Sequence, residues 1–268
     1  MERDAYFEWT YTQFIAENIF VNVIIHRTDM FGLTMRPYAS LSYYTHDGEH
    51  GHFRLPENTL PFFRALHKAA IQVQISVGPI EIDGVIVFNA RNVIEESLAE
   101  HTEEVNSQWF VTIPHGNFQG AISFRNKALA EHASVYQDHQ FGKLPVQNFL
   151  KKWGWGVTVE NDTTHCIFSI QPKGGTGYTI VFRCDGMTLE KRRLAYNQSW
   201  VESLDGGARG GVVFSEALKA DVDFDRPLRA RVQERYQNFS FTYYRYICRR
   251  GNAICGVCEY MEIGEGGS

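Results

Sequence analysis

The sequence predicts an all-β protein, and three observations carry that prediction. Apolar and polar residues alternate with period two, Asp-Gly dipeptides punctuate the runs, and helical periodicity is scarce. Ile71, Val73, Ile75 and Val77 alternate with Gln72, Gln74 and Ser76, giving the one apolar and one polar face of a half-buried strand. Tyr178, Ile180 and Phe182 alternate in the same way with Thr179 and Arg183, and Phe239, Phe241 and Tyr243 with Ser240 and Thr242. Asp47-Gly48, Asp83-Gly84, Asp185-Gly186 and Asp205-Gly206 each supply a glycine able to take the positive φ of a tight hairpin. The plan is therefore antiparallel and meander-like.

Two segments depart from it. Residues 92–104, "NVIEESLAEHTEE", predict a helix, with Asn92 as cap and Val93, Ile94 and Leu98 near one face. A shorter helical turn is expected to start at Pro145, with Val146, Phe149 and Leu150 as its apolar side and Gly154 beyond it.

A chain of 268 residues fits one large all-β domain or two modest ones. A weak internal echo favours two. Trp9-x-Tyr11 opens one β-run and Trp153-x-Trp155 another, each placing two rings on one strand face. Between them, Gly142, Pro145 and Lys151-Lys152 mark a junction at about 135–152, dividing the chain into 1–134 and 135–268.

Composition narrows the function. Nineteen Phe and thirteen Tyr are enough to line an apolar cavity as well as to fill a core, so a hydrophobic small molecule is the expected partner. A net charge of -5, with no block of Lys and Arg, excludes the electrostatic footprint of a nucleic-acid binder. The opening Met1-Glu2-Arg3-Asp4 is unlike a secretory signal, and apolar runs such as Val85 to Phe88 fall far short of the ~20 residues of a membrane span. A soluble chain is expected. Five cysteines, all in the second half, argue against a disulfide framework and for a reducing, cytoplasmic setting. Cys255-x-x-Cys258 lacks a second ligand pair and a βαβ context, so it reads as buried strand thiols on opposite faces rather than a zinc or redox site. His46, His50 and His52 flank a hairpin turn and read as surface histidines. No metal and no cofactor is expected.

The stretch "VYQDHQFGKLPVQNFLKKWGWG", 135–156, concentrates the chemistry. In an extended strand Tyr136, Asp138 and Gln140 project to one side and Val135, Gln137, His139 and Phe141 to the other. An acid and a phenol then share a face, and Trp153 and Trp155 share one on the next run. An acid among aromatic rings suits chemistry on an alkene: desolvation favours its proton, and ring faces stabilise the cation formed by protonation. Spacing alone also admits a plainer arrangement, in which Tyr136 and Asp138 hydrogen-bond a loop, the tryptophans plug a barrel end and His139 is a hydrogen-bonded strand histidine.

The segment resembles the Tyr-x-Asp-His-x-x-Gly … Trp-x-Trp-Gly pattern of the carotenoid 1,2-hydratase (hydroxyneurosporene synthase) family, whose lipocalin-like relatives include fungal Diels-Alderases and other natural-product cyclases. "FEWTYTQF", "MFG", "PYASLSYYTHDGE", "SQWFVTI", "GAISF" and "GVCEYM" resemble further family segments in order. The chain departs from the pattern at Phe141, where relatives often carry Trp, and at Thr10, where a further aromatic is usual. The resemblance implies two tandem lipocalin-like (calycin) antiparallel β-barrel domains and cofactor-independent, acid-triggered hydration or cyclisation of a hydrophobic isoprenoid or polyene. It implies Asp138 as proton donor, Tyr136 as its partner, and Trp9, Tyr11, Trp153, Trp155, His139 and Phe141 as substrate-contacting positions. Two alternatives stand beside it: a pericyclase that folds a polyene into reactive shape without an acid, and a non-catalytic carrier of hydrophobic ligands. A purely structural role is the third and is disfavoured by the aromatic load.

Overall fold

The computed structural model describes residues 7–28, 36–56, 61–98, 107–196, 223–227, 232–235 and 239–265. The chain divides into two compact units, Met1–Pro145 with Cys184–Thr188, and Val146–Arg183 with Leu189–Ser268.

The first unit holds β1 (Phe7–Ala16), β2 (Ile19–Thr28), β3 (Tyr38–Thr45), β4 (His50–Pro56), β5 (Phe62–His67), β6 (Ala70–Val77), β7 (Ile80–Phe88), β8 (Ile94–Ser97), β9 (Ser107–Phe124) and β10 (Lys127–Gly142). They form one sheet in the order β4-β3-β2-β1-β10-β9-β7-β6-β5, with β8 also on β9. The first strand thus pairs with the last. Residues 135–142 are the end of β10 and belong to this unit.

Its core lies on one sheet face, where Phe14, Val21, Leu41, Val73, Ile82, Ile86, Phe118 and Val135 cluster. The alternation read along Ile71–Val77 places Val73, Ile75 and Val77 in that cluster, as period two requires. β1 and β2 are buried on both faces, and in β2 this matches the nearly continuous apolar run Ile19–Ile25, interrupted only by Asn22.

The second unit starts at the helix α1 (Val146–Phe149), the turn expected after Pro145. It continues through β11 (Leu150–Glu160), β12 (Thr163–Pro172), β13 (Tyr178–Cys184), β14 (Leu189–Ala195), β15 (Asp223–Pro227), β16 (Val232–Arg235), β17 (Phe239–Arg250) and β18 (Ala253–Glu265). The order is β14-β13-β12-β11-β18-β17-β15, with β16 also on β17, so again the first long strand pairs with the last. Trp9-x-Tyr11 and Trp153-x-Trp155 fall on these two closing strands, β1 and β11.

Several sequence expectations need correction. Residues 94–97 are the strand β8, paired with Val111–Gln108 of β9, and not a helix. Asn92 does not cap; its Nδ2 donates to the Gly186 carbonyl at 3.2 Å. The rest of that candidate, 99–104, lies outside the described residues, as does Asp205-Gly206. Asp47-Gly48 and Asp185-Gly186 are turns with Gly φ of 93° and 84°. Asp83-Gly84 instead lies inside β7, where Gly84 lets the β9 backbone approach. A Cβ there would collide with the Gln119 carbonyl and come within 2.7 Å of the Phe118 ring. Gly84→Ala is accordingly expected to cost about 1–3 kcal/mol in urea unfolding, as overpacking does; an unchanged midpoint would show that the sheet yields there.

All five cysteines are free and buried. Cys255 and Cys258 join one cluster with Cys248 and Tyr260, not opposite faces, because the register shifts at Cys248/Arg249 and leaves Cys255 as the extra residue of a bulge. His46, His50 and His52 are exposed. Among the described residues no helix is long and apolar enough to cross a membrane, and no group of three or more His, Cys, Asp and Glu is placed to hold a metal.

Candidate functional site

The face of β1 opposite the core carries the candidate site of the first unit. Antiparallel register sets its side chains in rows, because directly paired residues share a face. Tyr136 of β10, Gln13 of β1 and Asn22 of β2 form one row; Asp138, Tyr11 and Ile24 form the next; Gln140, Trp9 and His26 the third. Trp109 of β9 pairs with Gln140, and Val111 with Asp138. Tyr136, Asp138, Trp9 and Tyr11 therefore share one face, as the sequence predicted for each pair.

The Tyr136 hydroxyl donates to Asp138 Oδ2 at 2.7 Å, and both residues are buried, Asp138 being only 2% exposed. Beside them, Gln13 Nε2 donates to the Tyr11 hydroxyl at 2.7 Å. Trp9 stacks on Phe7 with ring centroids 5.0 Å apart, and Trp109 is fully buried. The β10–β9 register shifts on both sides of Gln137, between Val135 and Asp138. Bulges of this kind re-aim side chains, and these lie beside the Tyr-x-Asp pair.

His139 and Phe141 lie on the other face. His139 Nδ1 is 3.1 Å from Thr10 Oγ1 and its Nε2 is 3.6 Å from Glu8 Oε1. Burial outweighs the pull of Glu8 and lowers its pKa, with Arg27 adding to the lowering. Phe141 stacks on Phe110 at 5.6 Å. The structure thus does not bring these two side chains together with Asp138.

Trp153 and Trp155 share a face within the second unit. Trp155 pairs with Glu259, which pairs in turn with Arg245. Arg245 holds Glu259 Oε1 through Nε at 2.8 Å and a second guanidinium nitrogen at 2.7 Å, in a nearly buried ion pair. The two units repeat one arrangement: the second aromatic of each Trp-containing pair stands opposite a buried carboxyl, Asp138 for Tyr11 and Glu259 for Trp155. Arginine holds one carboxyl and a phenol donates to the other.

Sequence reasoning passed over Gln13, Asn22 and His26. The available signal was a polar residue interrupting an apolar strand, as Asn22 does in "IFVNVII". His26 is buried, stacks on Tyr38 at 4.2 Å and has its pKa pushed down to about 3, chiefly by burial, with Arg54 and His52 adding to it. The unfolded chain binds this proton below about pH 6.5. The folded chain does so only near pH 3, so the stability that neutral His26 provides is complete above the unfolded pKa and is lost as pH falls through this window. Unfolding free energy is expected to drop by up to about 1.4 kcal/mol per pH unit from this group, and His26→Phe to flatten the profile. Urea titrations at several pH values check this; parallel profiles for the two proteins would mean a solvated imidazole.

No protein-family model and no curated protein sequence matches the chain. Solved structures do. A protein assigned as AttH from Nitrosomonas europaea superposes with a TM-score of 0.55 at 12% identity, covering 98% of this chain and 94% of that one. CghA in complex with Sch210972 superposes at 0.58 and 9% identity, covering 98% and 90%, and CghA alone at 0.58 and 10%. At such identities the likeness concerns architecture alone, and that architecture is two tandem lipocalin-like antiparallel β-domains.

Proposed function

We propose that the chain is a cofactor-independent enzyme that hydrates or cyclises a hydrophobic isoprenoid or polyene, with Asp138 of the first unit as proton donor. The observation that carries this reading is the buried Tyr136–Asp138 pair on a face shared with Trp9 and Tyr11. A carboxyl group is costly to bury, and a passive binder of hydrophobic molecules gains nothing from it.

The chemistry follows from the atoms. With Oδ2 accepting from Tyr136, Oδ1 is the oxygen that delivers a proton. Desolvation favours the protonated acid before reaction, while the Tyr136 hydrogen bond favours the carboxylate formed afterwards. The alkene π pair takes the proton and forms a C–H bond, leaving a carbocation that the faces of neighbouring aromatic rings stabilise. Water then attacks the cation and returns its proton to Asp138, so alkene plus water gives alcohol. Where water is excluded, a second double bond of the substrate closes a ring, and loss of a proton to Asp138 gives an isomer. Trp153 and Trp155 offer a further aromatic surface for a hydrophobic ligand in their own unit.

The resemblance of "VYQDHQFG" to the hydratase motif supports proton transfer. The likeness to CghA, crystallised with Sch210972, supports a fold able to hold a small molecule and keeps a second reading open, closure of a polyene by shape alone. Incubation with a panel of linear polyenes and terminal alkenes, followed by mass spectrometry, separates the readings. A gain of one water indicates hydration, an isobaric product with altered retention indicates ring closure, and quantitative recovery of bound, unchanged ligand would leave only a carrier.

A further inference from the structure

Asn22 is the least explained residue of the site. It is 1% exposed, yet neither Nδ2 nor Oδ1 has a hydrogen-bond partner among the described residues. Directly opposite it on β1, Gln13 is fully buried, and after its Nε2 has donated to Tyr11 its Oε1 has no partner either. Burying a primary amide with both atoms unpaired costs stability, because the hydrogen bonds it made to water in the unfolded chain are not replaced. Two such groups side by side, in a row that continues to Tyr136, are a recurring debt that an apolar pair would remove. Buried polar groups normally find partners, and no described residue supplies one to these atoms, so a group from outside the described residues is the partner they call for.

The unpaired atoms define its chemistry. Asn22 presents a donor and an acceptor on one planar edge, and Gln13 adds a second acceptor next to it. The complement of a carboxamide edge is another edge carrying C=O and N–H side by side, as when Asn pairs bidentately with adenine. We infer that Gln13 and Asn22 form a head-group site that binds a primary carboxamide, lactam or imide edge on an otherwise hydrophobic ligand. This deepens the reading of the same face as a site for a hydrophobic substrate and rests on it. The amide edge sets the register of the molecule, and the polyene part then lies toward the rows of Asp138 and Trp9 on the same sheet face.

Binding tests this without turnover. Dodecanamide carries the full edge, N,N-dimethyldodecanamide has the carbonyl but no N–H, and dodecane has neither. Wild-type full chain is expected to bind dodecanamide about 10- to 100-fold more tightly than the dimethyl analogue, because a site built to hydrogen-bond penalises a ligand that leaves its groups unpaired. Asn22→Leu should erase that preference while leaving the melting temperature equal or higher, since it removes an unpaired buried amide. Gln13→Met should reduce the preference several-fold, and Asp138→Asn should leave it intact. Equal binding of the three probes by wild type, or a preference that survives Asn22→Leu together with a lowered melting temperature, would overturn the inference and assign Asn22 to a structural contact. Failure of the catalytic reading has another signature, amide selectivity without conversion of any polyene.

Discussion

Replacement of Asp138 by Asn is expected to lower turnover by about 10²- to 10⁴-fold, the range that a positioned general acid contributes. The substitution keeps the size of the side chain and an oxygen able to accept the Tyr136 hydrogen bond now made to Oδ2. It removes the transferable proton and puts an amide NH2 in place of the other carboxyl oxygen. Ligand affinity and melting temperature should therefore stay close to wild type, and the loss should fall on kcat rather than on KM. Tyr136→Phe should produce a smaller loss, about ten-fold, because the phenol supports the carboxylate through one hydrogen bond and does not itself transfer the proton. Steady-state kinetics with product quantification checks both. Full activity in Asp138→Asn would reassign the reaction to closure by shape, with the acid as a structural residue.

Glu259→Ala is expected to destabilise the second unit by about 3–5 kcal/mol, because it strands the Arg245 guanidinium in a buried position. For a domain of this size the loss lowers the melting temperature by roughly 10–20 °C. The double variant Arg245→Met/Glu259→Leu should recover most of that stability, since both charges leave together and apolar volume replaces them. Calorimetry of the two variants measures the difference directly. A loss below about 1 kcal/mol in Glu259→Ala would match a solvated surface pair instead. Trp155 sits on the same sheet face as this ion pair. There the carboxyl is held by an arginine at 2.7 Å, whereas Asp138, at the corresponding place opposite Tyr11, accepts from a phenol. One register position thus holds an arginine-bound carboxyl in one unit and a candidate acid in the other.

Much of this was legible from residue order, for reasons that also explain the misreadings. Period two correctly put Tyr136 with Asp138 on one face and His139 with Phe141 on the other, because alternation in a strand is geometric and independent of context. Asp83-Gly84 misled because a glycine needed for close backbone approach is written with the same letters as a glycine needed for a turn. The β8 segment misled because Asn92 and the spacing of Val93, Ile94 and Leu98 imitate a capped helix, whereas tertiary pairing with β9 fixes the strand. Conversely, the hairpins at Arg125-Asn126 and Asn161-Asp162 carried no glycine and went unmarked, although all four residues adopt positive φ between 47° and 63°. Gln13 and Asn22 stayed hidden for a different reason. In β2 the apolar run carries no polar rhythm, so Asn22 looks like a tolerated irregularity, and in β1 Gln13 follows Thr12 at the end of the Glu8, Thr10, Thr12 alternation and looks like the start of a turn.

The most direct test of the account is the fate of one proton. Turnover in D₂O, with the product examined by mass spectrometry and NMR, should place a single solvent-derived deuterium on carbon at the protonated end of the former double bond. Product formed at an undiminished rate with no carbon-bound deuterium would contradict proton transfer from Asp138.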